Sequence, residues 1–62
     1  SVPSAEARPS FMEARDAVVD AFEREYLRSL IAQHEGNMSA VARAANLARS
    51  QLYRLLEKHG LG

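Results

Sequence analysis

The sequence predicts an all-α fold, and three observations carry that reading. Apolar residues recur at spacings of three and four from Phe11 to His34, then again within residues 38–45 and 49–59. Residues that start and stop helices stand at the junctions: Ser10 with Glu13 three positions on, Asn37, and Gly36 and Gly60 behind the periodic runs. No segment carries the strict alternation that a half-buried strand needs. The expected domain is a small bundle of four helices, or of three if the first two are continuous.

Each element has its own justification. Ser10-Phe11-Met12-Glu13 fits a capping box, in which the Ser10 hydroxyl takes the Glu13 N–H and the Glu13 carboxylate returns to the Ser10 N–H. Phe11, Ala14, Val18, Phe22 and Tyr26 then form a stripe that Leu27, Leu30, Ile31 and His34 continue. Periodicity permits one helix of about 25 residues here, or two with a break near Asp20–Glu23. Gly36 stands where a helix-ending glycine belongs, with His34 in the final turn favourable to the helix dipole. Asn37 is a good N-cap for a short helix over Met38–Ala45, and Asn46 can take the left-handed conformation that ends it. Leu47 anchors the turn. The last helix spans about Arg49–His59, with Leu52, Leu55, Leu56 and His59 on its buried stripe. Its start lacks a side-chain cap, because Ala48 precedes it; that costs about 1 kcal/mol. Gly60 and Leu61 read as the closing glycine and the apolar contact that seals it.

Size and charge narrow the function classes. Sixty-two residues make one small domain near the lower limit for independent folding. Eleven of its apolar residues are alanine, leaving eighteen bulky ones for a core, so self-association through an apolar stripe is physically reasonable. The absence of cysteine excludes disulfides and thiolate metal sites. No apolar run is long enough to span a membrane. Residues 1–9, rich in Ser, Pro, Ala and Glu, read as a disordered linker, so the chain is expected to be a piece of a longer protein. A net charge of zero hides an asymmetry: residues 1–35 hold seven acids against four arginines, whereas residues 36–62 hold four cations against Glu57 alone. A basic C-terminal half suits a polyanionic partner.

Residues 37–61 also have the make-up of a helix-turn-helix. Ala42 offers the small residue needed where two short helices cross, and Val41, Ala45, Leu47, Leu52 and Leu55 can hold the helices and the turn together. The run F-E-R-E-Y-L followed by G-N-M-S-A-V-A-R-A-A-N-L-A-R-S-Q-L-Y-R-L-L-E-K-H-G-L resembles the C-terminal Fis-type domain of bacterial NtrC-like activators that work with sigma-54 RNA polymerase. The resemblance covers about Phe11 to Leu61. It implies four helices, dimerisation through residues 10–35, and a DNA-binding helix-turn-helix over 37–61 that reads palindromic enhancer sites. It also implies an upstream ATPase domain in the intact protein and a place in the bacterial cytoplasm, on the nucleoid.

The resemblance assigns roles where residues match. Arg49 corresponds to the main base-reading arginine, whose fork suits guanine O6 and N7. Gln51 and Tyr53 are further candidates for base contact. Asn37 and Ser39 correspond to phosphate-contacting positions at a helix start, and Arg43, Ser50, Arg54 and Lys58 are candidates for phosphate or base edges. Phe11, Val18, Phe22 and Tyr26 are the expected dimer interface. Ala48 departs from the family pattern, which often has Asn, Asp or Ser there, and Asn46 stands where Gly is common.

Two other classes fit the sequence less well. A helical dimerisation or protein-interaction module needs no basic half. An enzyme needs a nucleophile–base pair, a phosphate-cradling loop or paired carboxylates in a cleft, and the sequence offers none of these. No small-molecule substrate, cofactor or metal is expected. His34 and His59 lie at helix ends with no third ligand at metal-binding spacing in the sequence, and read as carbonyl-capping residues.

Overall fold

The computed structural model describes residues 8–62, so most of the linker expected over 1–9 lies outside the described residues. Three helices follow in order: α1 over Phe11–Gln33, α2 over Met38–Ala45 and α3 over Arg49–His59. The choice left open for residues 10–35 resolves as one continuous helix. Asp20, Ala21, Phe22 and Glu23 contain no residue that breaks a helix, and the helix continues through them.

Local chemistry sets the ends. The capping box at Ser10 forms in full, with Glu13 N–H donating to Ser10 Oγ at 3.2 Å and Ser10 N–H to Glu13 Oε1 at 3.0 Å. Asn37 caps α2 by accepting the Ala40 N–H at 3.2 Å. All three helices close with the same six-residue backbone ring: Gly36 N–H to Ile31 O at 2.9 Å, Leu47 N–H to Ala42 O at 2.9 Å, and Leu61 N–H to Leu56 O at 2.8 Å. A left-handed residue precedes each donor. At the second and third closures it is Asn46 (φ 58°) and Gly60 (φ 68°), as the sequence suggests.

At α1 the structure departs from that scheme. Glu35 (φ 55°), not Gly36, occupies the left-handed position, and Gly36 (φ 81°) follows it. The chain reverses through both residues before Asn37 starts α2. Gly36 is thus the second of two left-handed steps, and Glu35 carries the steric strain that a Cβ brings to such a conformation.

One core holds the three helices together. Leu27 from α1, Val41 and Ala42 from α2, and Leu52 and Leu56 from α3 are buried. Leu30, Ile31, Met38, Leu47, Leu55 and Leu61 pack around them. Ala42 is the small residue of this cluster, as its expected place between α2 and α3 requires. Only the second half of α1 takes part. Every residue from Phe11 to Val19 is exposed, so the apolar stripe divides into a packed end at Leu27–Ile31 and an open end at Phe11–Phe22.

Candidate nucleic-acid interface

Burial of Leu52 and Leu56 fixes the rotation of α3 about its axis. Residues one helical step apart on the opposite side, Ser50, Tyr53, Arg54 and Glu57, are turned to solvent together with Arg49. Leu47 pins the turn against the core, so α3 starts at a defined place relative to α2. The outer face of α3 is therefore polar, cationic at its start, and carried on a rigid support.

The starts of α2 and α3 lie side by side. The Arg49 guanidinium donates through Nη2 to Ser39 Oγ, a contact across ten residues of chain. Asn37, two residues before Ser39, caps α2 by accepting one of its free N–H groups, that of Ala40. Both helix starts are positive ends of backbone dipoles, so a guanidinium there is electrostatically unfavourable. Among the described residues no carboxylate lies within ion-pair distance of Arg49. This concentration of positive potential favours an anion or the acceptor edge of a base.

Ala48 supplies no side-chain cap to α3, as expected. The reverse half of a capping box is present nonetheless: Ala48 N–H donates to Gln51 Oε1 at 3.2 Å. Gln51, expected at a base edge, is here engaged in holding its own helix start.

A second polar cluster joins the far end of α3 to α1. Lys58 Nζ lies 3.1 Å from Asp20 Oδ1 and 3.2 Å from Glu23 Oε1. Glu23 Oε1 also meets His59 Nε2 at 2.8 Å, and the His59 side chain is 3% exposed. Hydrogen bonding by His59, aided by Lys58, holds the Glu23 carboxyl below the ordinary glutamate range, against the opposing effect of its partial burial. Hydrogen bonds to Asp20 and Glu23 push the Lys58 ammonium up.

Asp20, Glu23 and His59 place their donor atoms within 4.8 Å of one another. Sequence spacing gave His59 no ligand partners; folding supplies two acids from a distant part of the chain. The Lys58 ammonium bonds both acids and takes the position of a cation, so the cluster reads as a closed ion-pair network.

Of the residues singled out in the sequence, Asn37, Ser39 and Arg49 are brought together at adjoining helix starts. Arg43, Ser50, Tyr53 and Arg54 lie exposed on the outer faces of α2 and α3. Lys58 is directed toward α1. Phe22 and Tyr26 form a tilted ring pair with centroids 5.5 Å apart, and Phe11 and Val18 lie exposed further toward the start of α1. The pairings of Ser39 with Arg49 and of Glu23 with His59 were not foreseen. Neither has a local signal, because the partners are ten and 36 residues apart.

A short helix, a turn closed by a left-handed Asn46, and a second helix with a polar outer face define a helix-turn-helix domain carried on a long supporting helix. More narrowly, the family of bacterial regulatory proteins of the Fis type matches residues 18–59, and the chain belongs to that family. It is 42% identical over 55 residues to the transcriptional regulatory protein GlrR of Escherichia coli K12, and equally to QseF of Escherichia coli O157:H7. The match covers 89% of this chain but 12% of each relative, so the chain spans about an eighth of their length. No solved structure matches it. The chain is accordingly a Fis-type helix-turn-helix domain. Among the described residues no helix is long and apolar enough to cross a membrane.

Proposed function

We propose that the domain binds DNA sequence-specifically as a homodimer, each protomer laying α3 in the major groove of one half of a palindromic enhancer site. The carrying observation is the start of α3: Arg49 lies exposed at a helix start, beside the start of α2 through its bond to Ser39 Oγ. Arg49 grips guanine O6 and N7 through two N–H groups. Tyr53 and Gln51 contact neighbouring base edges, Gln51 by exchanging its bond to the Ala48 N–H for one to a base. Asn37, Ser39, Arg43, Ser50 and Arg54 approach the backbone, where contacts set register without reading sequence. Lys58, bonded to Asp20 and Glu23, contributes mainly by holding α3 on α1.

Dimerisation uses the open end of the α1 stripe: Phe11, Val18, Phe22 and Tyr26. Residues 10–35 then serve as the scaffold and 37–61 as the reader, with half-sites spaced roughly 34 Å apart. In the intact protein the domain follows an ATPase domain and delivers a sigma-54-dependent activator to its enhancer in the bacterial cytoplasm. The 42% identity to two transcriptional regulatory proteins supports this placement. The domain itself has no catalytic task.

Selection of bound duplexes from a random pool tests the reading. An inverted repeat should emerge, and affinity for it should fall steeply with salt, as counterion release demands. Recovery of no consensus, or binding insensitive to salt, would overturn it.

A further inference from the structure

The Arg49 side chain is long and exposed, and left alone it would sample many rotamers. Its guanidinium is instead fixed to Ser39 Oγ on a different helix. Ser39 is free for this task because Asn37, not Ser39, caps α2 through the bond from the Ala40 N–H. The contact leaves the reading capacity of Arg49 intact. A guanidinium carries five N–H donors, so four remain, and a bidentate grip on guanine needs two. Electrostatics also works against Arg49 resting where it does, between two positive helix ends, without an acceptor to hold it there. The hydroxyl oxygen is that acceptor.

We propose that Ser39 is a positioning residue for Arg49: its hydroxyl on α2 holds the guanidinium at the start of α3, so discrimination at one base pair depends on a residue that touches no base. The proposal rests on the base-reading role of Arg49. Pre-setting one rotamer removes part of the ordering cost that binding would otherwise meet, and it does so only for the duplex on which that rotamer is productive. Ser39 therefore acts on the ratio of affinities between right and wrong base pairs. A residue that only touched phosphate would act on all sequences alike.

The experiment uses the 62-residue chain, a duplex obtained by selection, and the same duplex altered at the base pair where Arg49→Ala removes discrimination. Ser39→Ala should lower the affinity ratio between the two duplexes about three- to tenfold, the effect of losing one hydrogen bond of ordinary net worth. Ser39→Thr, which keeps the hydroxyl, should restore it. In an Arg49→Ala background Ser39→Ala should change the ratio no further. Ser39→Ala should lower the melting temperature only slightly, as the loss of one exposed bond requires, whereas a merely structural role would lower it without changing the affinity ratio. A loss no greater on one duplex than on the other, or a change in their affinity ratio on Ser39→Ala that persists without Arg49, overturns the proposal. If Arg49→Ala flattens discrimination and Ser39→Ala does not, the positioning role alone falls. If Arg49→Ala leaves discrimination whole, the base-reading role falls and the positioning role with it.

Discussion

The two ends of α1 are made alike and placed differently. Both carry apolar residues at helical spacing, yet Leu27, Leu30 and Ile31 pack on α2 and α3 while Phe11, Val18 and Phe22 face solvent. Phe11 is 76% exposed, Val18 69% and Phe22 61%. Residues 11–19, all exposed, therefore gain no apolar burial from their own chain, and a helix of that length is marginal in water. The comparison teaches that the domain has one self-sufficient part, the helix-turn-helix with the end of α1 beneath it, and one part whose apolar face calls for an external surface.

The largest effect should come from the packed part. Leu52 is fully buried, and Leu52→Ala should cost about 2–5 kcal/mol. Stabilities of about 0.05–0.15 kcal/mol per residue leave a domain this small little margin. Thermal unfolding followed by circular dichroism should show the variant largely unfolded near room temperature. A cooperative transition close to that of the unaltered chain would mean that the core at α3 matters less than its burial implies.

Next in size is the seam between the two parts. Glu23→Ala leaves the buried His59 imidazole without its acceptor, which should cost about 1–3 kcal/mol. The same seam gives a pH signature. Glu23 titrates below the ordinary glutamate value of 4.5 in the folded chain, so its contribution is present above that pH and is lost as pH falls through the folded value. Lys58 is raised above 10.5, so its contribution is present below that pH and is lost as pH rises through its folded value. Glu23→Gln should flatten the acid limb of a plot of melting temperature against pH. An unchanged acid limb would place the acid sensitivity elsewhere.

A smaller gain should come from the reader's start. Ala48→Ser supplies the missing N-cap of α3 and should stabilise the domain by about 0.5–1 kcal/mol. The new hydroxyl would take the Gln51 N–H and so complete the capping box, whose other half, Ala48 N–H to Gln51 Oε1, is already formed. A melting temperature lower than that of the unaltered chain would show that the Ala48 backbone does not accommodate a side-chain cap.

What the sequence disclosed follows the range over which its signals act. Ser10 with Glu13, Asn37, Asn46 and Gly60 act within one turn of the chain, and each was legible because the helix end it serves lies beside it. The buried stripe of α3 was legible because a period of 3.6 is a local property. The continuity of α1 was not, since a periodic apolar stripe reads alike for one helix and for two helices with a short break between them. Glu35 carries no such signal, because the glycine beside it is the usual residue for a left-handed position. Asp20 and Glu23 looked like ordinary surface acids until α3 folded back and set Lys58 and His59 against them. Arg49 could be singled out by its type and position, but its support by Ser39 exists only once two helix starts meet.

The smallest effect on the isolated chain should come from the open end of α1, and it separates the two parts most sharply. Val18 touches no core residue, so Val18→Ser should change the stability of a monomer by no more than about 0.5 kcal/mol. If the stripe pairs with a second copy, however, unfolding is coupled to dissociation and the melting temperature of the unaltered chain should rise with protein concentration. Val18→Ser should abolish that rise while leaving the dilute-limit value in place, and the contrasting Leu52→Ala should lower the melting temperature at every concentration. The two variants thus distinguish residues that hold the fold from residues that await a partner. A concentration-independent melting temperature in the unaltered chain would remove the homodimer for this domain alone, and the exposed aromatic and aliphatic residues of α1 would then need a cover from elsewhere in the intact protein.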